Sequence, residues 1–255
     1  LFAHQLQQAG ITLNYDGDYG VLQRRVKNHE ELEHLRAVQK ITEATMEMAC
    51  SLIGRSPADA EGVLQHEGAA LTSERVRQLI SRFVLDHDCT TLHDSIVVTV
   101  PHVADCHHFG TGPLRKDLPV IVDIFPTHNH THYCGDCTRT VVNGDVSDIV
   151  RDMHACVVRA NAAGCAALQP GTTGQAVHEA VAAVIREGGY SMGAPTSEKD
   201  EEWIGMRHGT GHGIGLDVHE PILLATGGGE ILEREVFTVE PGLYSAIHGG
   251  VRVED

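Results

Sequence analysis

Asp123 sits inside the apolar run V-I-V-D-I-F of Val120 to Phe125. A carboxylate buried there without a partner is costly, so a fold that takes this run as a strand must supply a cation, an arginine or several hydrogen-bond donors. The same demand recurs at Asp136 in G-D-C-T-R-T, Glu240 in T-V-E-P-G-L-Y and Glu254 in V-R-V-E-D; His212 completes an ordered series of five metal-ligand-type residues. Carboxylates bridge adjacent hard cations, and four of them with one imidazole can hold two divalent ions that clamp a water and a reacting oxygen. Each acid alone has a plain structural alternative: Asp123 as a strand-end cap, Asp136 as the partner of Arg139.

The most specific stretch runs from His208 to Glu220, H-G-T-G-H-G-I-G-L-D-V-H-E. Its glycines permit close backbone approach, and His208, His212 and His219 fall at separations of four and seven residues. A lone histidine is usually structural; three in such a setting point to a site. Arg252 and Glu254 lie two apart on a strand and so share a face, which lets Arg252 orient Glu254 or its neighbours.

A net charge of −16 disfavours phosphate-backbone binding, so nucleic acid is not an expected partner. Charged residues make up 21% of the 255 positions and hydrophobic ones 42%, a globular mixture rather than a disordered one. Seven cysteines, an odd number widely spread, do not read as a disulfide framework and fit a reducing cytoplasm. Cys134 and Cys137 form C-x-x-C, but residues three apart on a strand point to opposite faces, so both are read as small buried residues. No run approaches the roughly 20 apolar residues of a membrane span, and the first ten residues lack an export pattern. Leu1 in place of methionine, and Glu254 one residue from the end, lead us to expect a longer protein on both sides.

Apolar residues from Leu32 to Leu52 recur at helical spacing, predicting a helix over 26–51 broken by Arg55-Ser56-Pro57. Further helices are expected over 73–84, 148–169 and 173–187, with Pro170-Gly171 as a break. Strands are expected over 95–100, 120–125, 133–142, 236–239 and 251–254, with 126–131 as a hairpin-like connection. Helices and strands segregate into blocks, which favours α+β, with a helix pair followed by strands in each half as a faint repeat. Residues 1–25, containing Asn14, Asp16, Gly17 and Gly20, read as a linker or the remnant of an N-terminal domain, and 26–255 as the one main domain.

The ordered motifs V-D-I, D-C-T-R-T, G-H-G-I-G-L-D-V-H-E, V-E-P-G-L-Y and V-R-V-E-D resemble those of the pita-bread metallopeptidases. Within that group, T-R-T after the second aspartate and L-D-V-H-E after the histidine are closer to Xaa-Pro aminopeptidases and prolidases than to methionine aminopeptidases. The resemblance implies a curved antiparallel sheet backed by helices and a center of two divalent ions drawn from Mn, Co, Zn or Fe. Asp123 would bind one ion, Asp136 and Glu254 both, and His212 and Glu240 the second. A hydroxide bridging the ions would attack the scissile carbonyl, with Glu240 shuttling the proton.

By the same resemblance His219 would contact the substrate carbonyl, His107 in C-H-H the scissile-bond nitrogen, and His208 the substrate pocket, with Arg252 beside it. The implied partner is a peptide with proline at its second position; a homodimer stays open. The alternatives are a methionine-aminopeptidase-like activity, a non-catalytic binding module and a metal-free creatinase-like hydrolase. The last two would be expected to lose carboxylates that this chain retains. The connection from Asp123 to Asp136 is about two residues longer than the family pattern, an even insertion that preserves strand faces. Its histidines, His128, His130 and His132, are expected in a solvated turn, with an accessory metal site as the alternative.

Overall fold

A computed structural model of the chain describes residues 1–16, 19–195 and 202–255. The four long helices start where their sequences provide a cap. Helix α1 (His29–Arg55) opens with a reciprocal capping box between Asn28 and Glu31. Helices α2 (Ser73–Leu85), α3 (Asp148–Ala167) and α4 (Gly174–Glu187) open on Thr72, Ser147 and Thr173, whose hydroxyls accept from backbone N–H groups in the first turn. The last turn of α1 includes Arg55, and the chain leaves in extended form at Ser56, as a residue before proline must.

Strands β1 (Ile96–Val98), β2 (Pro119–Ile124) and β3 (Cys137–Val142) form an antiparallel sheet with β2 at its centre. The pleat of β2 decides the site. Val120, Val122 and Ile124 pack with Met46, Ile53, Val76 and Ile80 of α1 and α2, whereas Ile121 packs on the opposite side with Ile96, Val98 and Tyr244. Asp123 alternates with Ile121 and so shares its face. Strand β4 (Gly205–Met206), the antiparallel pair β7 (Gly242–Ser245) and β8 (Gly249–Arg252), and the short strand Ser191–Met192, parallel to β4 at the edge, form a second sheet, backed by α3 and α4 through Met153, Val157, Val181 and Ile185. Strands β5 (Gly211–Gly213) and β6 (Glu220–Leu224) pair separately. A helix pair therefore backs a sheet in each half, as the faint repeat predicts, and the architecture is α+β.

Three expectations change. Residues 133–136 and 236–239 lie outside the regular strands, because each segment bonds to several elements in turn: Asp136 N–H to the Gln39 side chain, Thr238 N–H to His212 and Val239 N–H to Asp255. The connection after β2 is not a simple hairpin turn, since Thr127–His128 pairs with Cys89–Thr90. His130 and His132 there are exposed, whereas His128 is half-buried with its Nδ1 accepting from Thr131 N–H. Among the described residues no metal-type cluster falls in that turn. Cys134 precedes the strand that was to carry it, yet both it and Cys137 are buried as expected, and burial pushes both thiols up.

The first 25 residues hold two short helices, Phe2–Gln8 and Val21–Arg25; Gly17 of the linker reading lies outside the described residues. The second helix is tied to the loops around β6. Arg24 pairs with Asp217 at 2.8 Å, Arg25 with Glu235, and buried Lys27 with buried Glu220 at 2.7 Å. Glu220 in turn accepts from Leu216 N–H, so this ion pair holds the loop that carries His219. Among the described residues no helix is long and apolar enough to cross a membrane. Removing one partner of a buried pair strands the other charge, and Lys27→Met should cost about 3 kcal/mol in urea unfolding. The double variant Lys27→Met/Glu220→Gln should recover part of that loss, and a single-variant cost below about 1 kcal/mol would show that the pair does not anchor this loop.

Candidate metal centre

Asp123, the next-to-last residue of β2, directs its carboxylate away from the helices. Its Oδ2 accepts from Arg252 Nη2 at 2.7 Å, while its Oδ1 is buried with no protein partner. Asp136 lies one residue before β3, where the Gln39 side chain on α1 clamps it: Gln39 Nε2 donates to Asp136 O at 2.8 Å and Asp136 N–H donates to Gln39 Oε1 at 3.0 Å. Gly135 makes this approach feasible, since a Cβ there would lie 2.2 Å from Thr42 Oγ1. Arg139 does not take Asp136 as its partner; it donates to Thr138 O and Glu254 O and pairs with Asp255.

His212 sits in β5, where Gly211 lets the chain pass so close to Thr238 that a Cβ would meet its carbonyl oxygen at 2.0 Å. His212 Nδ1 lies 3.0 Å from Gly213 O, so it carries the proton and leaves Nε2 as an acceptor. That Nε2 lies 3.7 Å from both Asp136 Oδ2 and Glu240 Oε1. Burial drives the imidazole down to about 4, so it is neutral and able to ligate at neutral pH. Glu240 precedes β7 by two residues, its N–H bonded to Thr210 O, and Glu254 follows β8 by two, its N–H bonded to Thr138 O. Both thus flank strands rather than lie in them.

Asp136, His212 and Glu254 offer ligand atoms that all lie within 4.8 Å of one another, and Asp123 and Glu240 line the same cavity of about 660 Å³. Burial pushes the Glu240 carboxyl up to about 7. Asp136 and Glu254 are raised well above the usual carboxylate range, by burial first and then by their neighbouring carboxylates. So many crowded acids, with one buried oxygen left unpartnered, form a donor set suited to hard or borderline cations.

Arg252 is the cation built into this cluster. Besides Asp123, its guanidinium donates to Thr138 Oγ1, Tyr244 Oη and the Cys106 carbonyl. Thr138 passes the contact on, donating to Glu254 Oε2 at 2.7 Å, so Arg252 reaches Glu254 through a hydroxyl. Tyr244 Oη lies 2.7 Å from His208 Nε2, and burial, with Arg252 nearby, drives His208 down to about 3. His208 is therefore a neutral wall of the cavity. His107 and His219 are exposed at its mouth, and the His219 ring meets that of His212 edge-on at 4.3 Å between centroids.

Gln39, Thr138 and Tyr244 were not singled out in the sequence. Thr138 alone had a local signal, a hydroxyl two residues after Asp136 in a run that must be buried. Gln39 and Tyr244 gain their roles only from partners far along the chain.

The sequence model of metallopeptidase family M24 matches residues 33–255. An uncharacterized peptidase of Staphylococcus haemolyticus is 28% identical over 234 residues, covering 91% of this chain and 59% of that protein. The chain thus spans about three-fifths of that relative's length. An X-Pro aminopeptidase from Thermotoga maritima superposes with a TM-score of 0.81 at 25% identity, over 100% of this chain and 65% of that one. A Xaa-Pro dipeptidase from Bacillus anthracis gives 0.78 at 26% identity, over 100% and 71%.

The Glu240 carboxyl, raised to about 7, is partly protonated near neutral pH, and an arriving cation must displace that proton. Metal affinity should therefore rise with pH between about 6 and 8, and binding should release protons. Calorimetric titration of chelator-stripped protein with Mn²⁺ in two buffers of different ionisation enthalpy reads both quantities. A pH-independent affinity with no proton release would contradict the crowded-carboxylate picture.

Proposed function

Because the chain belongs to metallopeptidase family M24 and has its α+β pita-bread fold, we propose that it is a dinuclear-metal peptidase that hydrolyses Xaa-Pro bonds. The observation that carries this reading is the convergence of five ligand-type residues, with an unpartnered buried Asp123 oxygen, on one cavity. Asp123, Asp136, His212, Glu240 and Glu254 would hold two divalent ions, with Mn²⁺, Co²⁺, Fe²⁺ and Zn²⁺ all compatible with oxygen-rich ligation and one imidazole. When bound, the ions supply Lewis-acid polarisation of the scissile carbonyl and a water acidic enough to attack at neutral pH. The catalytic unit is taken as 26–255, with 1–25 leading into it.

Glu240, with its carboxyl near 7, is suited to take a proton from the attacking water and deliver it to the departing amine. His219, lowered by burial, is suited as a neutral N–H donor to the carbonyl oxygen, and His107 as the contact to the scissile-bond nitrogen. Arg252 keeps one Asp123 oxygen occupied and so leaves the other for a cation. His208 narrows the pocket as an uncharged wall. Ile96, Phe109, Leu216 and Leu223 line the cavity and suit a nonpolar pyrrolidine ring. The relatives named as X-Pro aminopeptidase and Xaa-Pro dipeptidase support a peptide substrate with proline at its second position.

Chelator-stripped protein should lose Xaa-Pro hydrolysis and regain it with Mn²⁺, Co²⁺ or Zn²⁺; undiminished activity after stripping would overturn the proposal. Glu240→Gln should lower kcat by about 10²- to 10⁴-fold, the scale of general acid–base catalysis, with an unchanged circular dichroism spectrum. A rate near that of the parent would remove Glu240 from proton transfer.

A further inference from the structure

Ahead of the metal centre, Asp105, Cys106 and His107 form a second cluster whose carboxylate, thiol and imidazole atoms all lie within 4.8 Å of one another. Cys106 Sγ stands 3.7 Å from His107 Nδ1. A tetrahedral zinc ion with usual Zn–S and Zn–N lengths holds those two atoms about 3.5 Å apart, so the pair already has close to the required bite. Asp105 Oδ1 accepts from His107 N–H at 3.1 Å, which draws the carboxylate over the same turn. The segment is anchored rather than loose: Cys106 is buried beside Val103 and Tyr244, and its carbonyl accepts from Arg252 Nη1 at 3.4 Å.

We propose that Asp105, Cys106 and His107 form a second site, at the edge of the same cavity, for a soft or borderline divalent cation, Cd²⁺ or Zn²⁺ in excess of what the carboxylate-rich centre takes up, whose occupancy inhibits the enzyme. The donor chemistry separates the two sites, since sulfur and nitrogen favour soft ions while the carboxylate-rich centre favours hard ones. Burial keeps the Cys106 thiol protonated in the absence of an ion. On binding, the S–H bond breaks, the sulfur forms a bond to the cation and the proton leaves to solvent. Cys106 and His107 both line the cavity, so an ion held there narrows its mouth and takes the His107 imidazole away from substrate. The inhibitory part rests on the peptidase reading; the binding part does not.

The test uses the full chain, first loaded with Mn²⁺ and then titrated with Cd²⁺ in thiol-free buffer. Thiolate-to-cadmium absorption and Xaa-Pro hydrolysis are followed together. We expect one equivalent of Cd²⁺ to produce the ultraviolet band and to abolish activity in parallel. Cys106→Ser should remove the band. Asp105→Asn, at an exposed position, should keep the parent activity yet weaken Cd²⁺ inhibition by about tenfold or more, the loss typical when a metal site is stripped of a supporting partner. A band that survives Cys106→Ser, or follows the exposed Cys165 in Cys165→Ser, would overturn the proposal, as would unchanged inhibition in Asp105→Asn. Should the parent show no Xaa-Pro hydrolysis at all, the peptidase reading fails, while the band still decides whether the cation site exists.

Discussion

The contact between Arg252 and Asp123 organises the center of this molecule. A guanidinium has donors in a planar fork, and this one spreads them over a carboxylate, a threonine, a tyrosine and a carbonyl. Through Thr138 it steadies Glu254, and through Tyr244 it reaches His208. One buried positive charge cannot balance Asp123, Asp136, Glu240 and Glu254, and the remaining acids meet the cost of burial by holding protons or by binding cations. Asp123 Oδ1 is buried without a protein partner while Oδ2 is firmly held by Arg252.

The two layers of helix exist, from the site's point of view, to aim side chains. Packing Val120, Val122 and Ile124 against α1 and α2 forces Asp123 to the other face of β2, since alternate residues of a strand cannot share a side. Gln39 on the same helix then holds the backbone of Asp136 by two hydrogen bonds, so one element backs two of the candidate ligands. In the other half α3 and α4 seat β7 and β8, from whose ends Glu240 and Glu254 turn inward. A basic segment closes the arrangement from outside, with Lys27 buried against Glu220 next to His219.

The candidate ligands, the long helices and the α+β class were legible because each leaves a local mark. Ser, Thr and Asn stand at helix starts, apolar residues recur at helical spacing, and acids occur where the pattern demands apolar side chains. The strand boundaries were less legible. Residues 133–136 and 236–239 look like strands in composition, yet their backbone groups are satisfied by a glutamine side chain and by several separate segments rather than by one neighbour. Cys134 and Cys137 were read correctly as buried although one of them is not on a strand at all, since small thiols are buried in many backbone settings.

From sequence alone came the chemistry on offer: four carboxylates and an imidazole in a set order, glycines where the chain must pass closely, and too much negative charge for nucleic acid. Tertiary structure decided that one Asp123 oxygen is held and the other left unpartnered, that Arg252 binds Asp123 from 129 residues away, and that Arg139 bonds to Glu254 and Asp255 rather than to Asp136. It also brought Gln39, Thr138 and Tyr244 to the site. The physical reason is one of range: periodicity, capping and the cost of burial act between residues close in sequence. Neutralisation and hydrogen bonding act instead between whichever residues packing brings together.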